Sequence, residues 1–215
     1  MMSQGRRRIV IATANPAKFR EIAAVMADLP IEWVALSDLG EIPEPVEDGK
    51  TFAENARLKA RYYARVSGVW ALADDSGLEV DALDGRPGVY SSRYAGQACD
   101  DAANNARMVR ELAGVPTDRR TARFRCVVAL AGPDGVLAEA EGKIEGVIID
   151  PPRGNNGFGY DPHFLVPSLG KTTAEISPEH KNRISHRGNA LRAIRPAIEE
   201  CLSAASEQGR DAAAR

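Results

Sequence analysis

The feature that most constrains this chain is a long hairpin. Phe124, Cys126 and Val128 alternate with Arg123, Arg125 and Val127, and Gly132-Pro133-Asp134-Gly135 follows as a turn into a partner strand over about Val136 to Ile149. Alternation at period 2 followed by turn chemistry is the signature of two antiparallel strands. The rest of the chain switches between strand and helix patterns. Arg8 to Thr13 reads as a strand; after Pro16, the residues Phe19, Ile22, Ala23, Met26 and Leu29 fall on one face of a helix opened by proline. Ile31 to Leu36 is a second strand, and residues 40–49 form a Pro/Gly loop. Thr51-Phe52-Ala53-Glu54 matches a capping box for a helix reaching about Val66.

Val69 to Ala73 predicts a strand whose C-terminal end is Asp74-Asp75-Ser76-Gly77, and Leu78 to Leu83 alternates again. A helix over about Asp100 to Leu112 is closed by Gly114 and Pro116. A glycine-rich loop, Pro151 to Pro162, precedes a last helix from about Gly188, with Leu191, Ile194, Ile198 and Leu202 as its stripe. Strands interleaved with helices plus one hairpin predict a single α/β domain with a mixed sheet over residues 1–203. Residues 204–215 lack a lasting apolar stripe and are expected to be a disordered tail.

Composition excludes several functions. With 28 Lys+Arg against 30 Asp+Glu the net charge is −2, which argues against a protein that coats nucleic acid. Apolar residues at 44% sit at the globular norm. Cys99, Cys126 and Cys201 are odd in number and form no C-x-x-C pair, which fits a reducing cytoplasm better than a disulfide framework or zinc cage. Arg6-Arg7-Arg8 precedes an apolar run that stops at Thr13, too short for a secretory signal, and no run approaches the ~18 apolar residues of a membrane span.

Four segments combine polar side chains with glycine or proline at element ends. Thr13-Ala14-Asn15-Pro16-Ala17-Lys18 joins a strand to a helix, where amide dipoles and a lysine suit a phosphate; it equally serves as an ordinary helix start. Asp74 and Asp75 offer the hard oxygen ligands Mg2+ prefers, with Glu47 as a third carboxylate; the same acids also suit a solvated turn. In Asn155-Asn156-Gly157-Phe158-Gly159-Tyr160-Asp161-Pro162, Phe158 either stacks on a flat base or pins the loop to the core. Lys181 with Ser185-His186-Arg187-Gly188 gathers donors that either cap a helix or read the oxygen edge of a base. No H-x-x-x-H or G-x-S-x-G occurs, which disfavours zinc and a serine nucleophile.

Taken together, Thr13-x-Asn15-x-x-Lys18, Thr51-Phe52-x-Glu54-Asn55-Ala56-x-x-Lys59-Ala60, Ala73-Asp74-Asp75-Ser76-Gly77-Leu78, Gly157-Phe158-Gly159-Tyr160-Asp161-Pro162 and Ser185-His186-Arg187-Gly188 resemble the inosine/xanthosine triphosphate pyrophosphatase family, in its motif order. The chain departs from that pattern at Ala14, where glycine is common. The resemblance implies an elongated α/β fold around a long mixed sheet, a homodimer, and Mg2+-dependent release of pyrophosphate from non-canonical purine nucleoside triphosphates. It implies that residues 13–18 (Thr13, Ala14, Asn15, Pro16, Ala17 and Lys18) and Ser76 hold the nucleotide. Glu47 and Asp75, with Asp74, would bind Mg2+, and Asp75 would be the base for the attacking water. Phe158, Gly159, Tyr160 and Asp161 would enclose the purine, with Lys181, His186 and Arg187 donating to O6. The alternatives weighed beside it are a non-catalytic nucleotide-binding regulator and a nucleic-acid module built on Arg119, Arg120, Arg123 and Arg125.

Overall fold

The computed structural model describes residues 6–213. Strand β1 (Arg7–Ile11) lies parallel to β2 (Ile31–Ala35) and to the start of β3 (Trp70–Val80). Beyond that point every pairing is antiparallel: β3 with β4 (Thr121–Gly132), β4 with β5 (Gly135–Ile148), then the short β6 (Phe164–Val166) and β7 (Lys171–Thr172). One mixed seven-stranded sheet results, in the order β2-β1-β3-β4-β5-β6-β7. The expected hairpin is β4–β5, and the expected mixed sheet is observed.

Period 2 in the central strands sends alternate side chains to opposite layers. Ile9, Ile11, Leu72, Val128 and Leu130 pack with Ile22 of α1 (Pro16–Val25), with its C-cap Met26, and with Leu191, Ile194 and Ile198 of α5 (His186–Ala213). Val10, Ala71, Ala73, Val127 and Ala129 face the other way, onto Phe52, Ala56, Ala60 and Tyr63 of α2 (Phe52–Ser67). A third cluster places Leu78, Val80, Phe124 and Phe164 against Met108 and Leu112, at the end of α3 (Asp101–Glu111).

Local chemistry explains the helix starts. Asn15 Oδ1 accepts the amides of Ala17 at 2.8 Å and Lys18 at 3.2 Å, with Pro16 at the first helical position. Thr51 Oγ1 accepts Glu54 N at 3.1 Å as expected, but the Glu54 carboxylate reaches one residue further back, to Lys50 N at 2.6 Å.

Three expectations are corrected. Asp74-Asp75-Ser76-Gly77 does not end a strand, because β3 runs straight through it, paired with Val128 to Arg125 of β4. The apolar alternation of Leu78 and Val80 keeps the strand in register, and the buried carboxylates are tolerated because cations face them. A short helix not expected, α4 (Pro178–Ile184), precedes α5; Ser177 Oγ caps it by accepting His180 N at 3.2 Å. Finally, α5 continues past residue 204 to Ala213, where a disordered tail was expected, with Ala205 still packed on the core after Leu202. Alanine-rich sequence favours that continuation. Residues 214 and 215 of the expected tail lie outside the described residues.

Candidate active site

Strand β1 stops at Ile11, opposite Leu72, whereas β3 runs on to Val80. A cleft of about 390 Å3 opens beside this stretch, between the β1–α1 turn, the loop before α2, the segment 88–101 and the loop 158–161. Gly77 is required on its floor. A Cβ there would lie 2.4 Å from Ser91 Oγ and 2.5 Å from the Gly88 carbonyl, so only glycine lets that wall approach.

At one end of the cleft stand Thr13, Ala14, Asn15 and Lys18. Ala14 stands where the resembling family commonly carries glycine. It carries no strain, because among the described residues the non-glycine positions with positive φ are Asp84 and Cys99. Ala17 and Pro16 do not line this cleft: Ala17 gives its amide to Asn15, and Pro16 faces a neighbouring groove with Phe19 and Ile42.

Asp75 and Glu47 meet through a residue not assigned a site role from sequence. Lys59 Nζ donates to Asp75 Oδ1 and to Glu47 Oε2, each at 3.0 Å. Asn55 Nδ2 donates to Asp75 Oδ2 at 3.2 Å. Both come from α2, whose apolar stripe carries Phe52, Ala56, Ala60 and Tyr63; a lysine and an asparagine within that stripe were the signal available in sequence. Burial pushes the Asp75 carboxyl up despite the Lys59 charge. Lys59 is also pulled down by burial, but Asp75 and Glu47 outweigh that and keep it protonated.

Asp74, one residue earlier, points to the opposite face of β3 and does not line the cleft. Its Oδ2 accepts Arg187 Nη2 at 3.0 Å, Arg187 Nε at 3.2 Å and Ser76 Oγ at 3.1 Å, with Lys18 Nζ 3.2 Å away. Burial alone would raise this carboxyl, yet the Lys18 and Arg187 charges hold it well below the usual range. The two adjacent carboxylates are therefore set apart, Asp75 at the cleft and Asp74 among buried cations. Successive strand residues face opposite ways, and Asp74 is taken up by cations.

The other end of the cleft is aromatic and charged. The Phe158 ring has Lys181 Nζ 4.7 Å from its centroid and the Arg187 guanidinium carbon 5.8 Å away. His186 stacks on Phe124 with centroids 4.8 Å apart and planes 17° apart. Burial first, then the Arg187 and Lys181 charges, push His186 well below its ordinary range, so the ring is neutral, and its Nδ1 is buried without a partner. Asp161 is buried and directed at protein groups rather than outward: it accepts Lys181 Nζ at 2.5 Å, Phe158 N at 2.9 Å and Thr173 Oγ1 at 2.8 Å. Tyr160 donates its hydroxyl to Ser91 O at 2.8 Å and joins the two walls. Glu21 of α1, also unforeseen, accepts Arg187 Nη1 and lies 3.1 Å from Lys181 Nζ as an ion pair.

The arrangement therefore offers a phosphate-sized turn, two carboxylates on one side of β3, and an aromatic pocket floored by buried donors. Among the described residues no three Asp, Glu, His or Cys side chains converge as a ready-made metal cage. Glu47 and Asp75 are oxygen donors already gathered around one cation, the Lys59 ammonium. That set fits a hard divalent ion that takes one or two carboxylates and completes its shell with substrate oxygens. Arg123 and Arg125, considered above for nucleic acid, are held by Glu79, Asp81, Glu141 and Glu145.

Comparison with known proteins converges on one family. The sequence model of the Ham1 family matches residues 9–197. A dITP/XTP pyrophosphatase of Geobacter sulfurreducens is 54% identical over 184 residues, covering 86% of this chain and 92% of its own. One from Listeria monocytogenes is 51% identical over 195 residues, covering 91% and 96%. Among solved structures, the Ham1 protein of Coxiella burnetii superposes with a TM-score of 0.82 at 42% identity, over 90% of this chain and 99% of that one. The Staphylococcus aureus Ham1 protein gives 0.80 at 41% identity, over 90% and 99%.

Proposed function

The chain belongs to the Ham1 family, and from that footing we propose that it hydrolyses non-canonical purine nucleoside triphosphates (ITP, dITP and XTP) to the monophosphate and pyrophosphate. Family membership implies a divalent metal cofactor, which we assign as Mg2+. The enzyme is proposed to work as a cytoplasmic homodimer on the free nucleotide pool. The observation that carries this reading is the shape of the site: one cleft joins the Lys18 turn and the Asp75–Glu47 pair to the Phe158 pocket.

In this reading Thr13, Ala14, Asn15, Lys18 and Ser76 orient the triphosphate. Glu47 and Asp75 would hold the metal, which would supply charge neutralisation for the triphosphate when bound. Asp75 takes a proton from the water that attacks the α-phosphorus. Lys59 holds Asp75 and Glu47 together, and Lys18 stabilises charge gathering on the departing pyrophosphate.

Selectivity follows from donor counting. An ammonium has three N–H groups. Lys181 donates one to Asp161 and faces Glu21 as an ion pair at 3.1 Å, which leaves donor capacity for a ligand. Inosine and xanthosine present O6, an acceptor, to that donor; adenine presents an amino donor, and two facing donors leave both unpaired, which rejects an analogue strongly. Guanine shares O6, so its exclusion rests on the 2-amino group. Assaying a panel of nucleoside triphosphates for pyrophosphate and orthophosphate tests the reading. ITP, dITP and XTP should give pyrophosphate and monophosphate well ahead of ATP and GTP, and orthophosphate as first product overturns it.

A further inference from the structure

We propose that Asp101 and Asn105 of α3 are positioning residues for purine recognition, acting by gripping both polar backbone groups of Gly159 and so fixing Phe158 over the base pocket. The inference rests on the reading of Phe158 as the base-stacking side chain. Gly159 N donates to Asp101 Oδ2 at 2.7 Å, and Gly159 O accepts Asn105 Nδ2 at 2.9 Å. Gly159 has φ of +61°, and because glycine takes positive and negative φ about equally readily, contacts from outside the loop are what hold it there. Phe158 itself has a local anchor, its amide on Asp161, so the α3 contacts fix the following peptide and with it the ring's direction.

Asp101 is not needed where it stands for the helix start. The preceding Asp100 already caps α3, accepting Ala102 N at 2.8 Å and Ala103 N at 3.2 Å. The second aspartate is left to reach across to the loop. The neighbouring Asn104 grips the facing wall of the cleft, accepting Ala95 N at 2.6 Å and donating to Ser92 O at 2.9 Å. One helix turn thus spans from the segment that packs on Gly77 to the loop that carries Phe158, and its hydrogen bonds set the distance between them.

Steady-state kinetics on the full-length enzyme with ITP tests this. Asp101→Ala and Asn105→Ala should each raise KM about five- to tenfold, the worth of one hydrogen bond, with kcat unchanged and melting temperature lowered by no more than about 2–4 °C. Asp101→Asn should restore the wild-type KM, since an amide oxygen still accepts from Gly159 N. Asn105→Asp should do at least as much harm as alanine, since a carboxylate then faces a carbonyl. In a Phe158→Ala background, Asp101→Ala should add nothing, because its effect passes through that ring. If Phe158→Ala raises KM while Asp101→Ala and Asn105→Ala do not, this proposal fails and the base-stacking reading stands. If Phe158→Ala leaves KM unchanged, the base-stacking reading itself fails. Loss of kcat and of melting temperature alongside KM would show α3 to be a structural support only, and would also overturn it.

Discussion

Asp74 and Asp75 are neighbours in sequence with opposite surroundings. Asp74 faces α1 and α5, is shielded from solvent, and spends its Oδ2 on Arg187, Lys18 and Ser76. Asp75 faces α2 and the cleft, where one lysine and one asparagine hold it. The first has its carboxyl held far down and the second pushed up, within one residue of the same strand. The pleat sorts the two carboxylates: one side of β3 sets a carboxylate against buried cations, the other leaves a carboxylate facing the cleft.

The comparison breaks most sharply on the cleft side. Asp75→Asn should lower kcat about 10²–10⁴-fold, the range for losing a general base, while calorimetry still detects nucleotide binding. Equal turnover in the variant would remove Asp75 from the chemistry. On the other face, Asp74→Ala should cost stability before anything else. It leaves Arg187, 1% exposed, as a buried cation with Glu21 as its one remaining carboxylate, so urea denaturation should show a loss of about 3–5 kcal/mol. A variant as stable as wild type would mean that the Arg187–Asp74 pair does not hold the frame.

The smallest effect sharpens the same rule at the base end, where His186 is buried without charge. Its folded pKa lies below the unfolded value of about 6.5, so the unfolded chain takes up the proton first and stability falls as pH drops below that value. His186→Phe keeps the stack on Phe124 and removes the proton. Its melting temperature should therefore fall less between pH 7 and pH 5 than that of wild type, and equal slopes would contradict a neutral buried imidazole.

What could be read from sequence was local. The β4–β5 turn, the proline start of α1 and the Thr51 cap each lie within a few residues and were legible as such. In sequence Asp74 and Asp75 read as one metal-binding pair or a turn, because an acidic pair followed by Ser-Gly looks like a turn. Only the ladder to Val127 and Val128 of β4 shows a continuous strand, although Leu78 and Val80 carry its period onward. Glu21 was invisible for a different reason. Its value lies in pairing with the Lys181 and Arg187 charges, which the fold brings to α1 from the far end of the chain. Lys59 sat in view inside an apolar stripe, yet its meaning depends on Glu47 arriving from a proline-rich loop that no local pattern positions.

Hydrolysis of ITP in 18O-labelled water tests most directly whether the open side of β3 activates a water for the α-phosphorus. Mass spectrometry should find the label in the inosine monophosphate and none in the pyrophosphate. Label in the pyrophosphate, or in orthophosphate, would place the attack on another phosphorus and contradict the role assigned to Asp75.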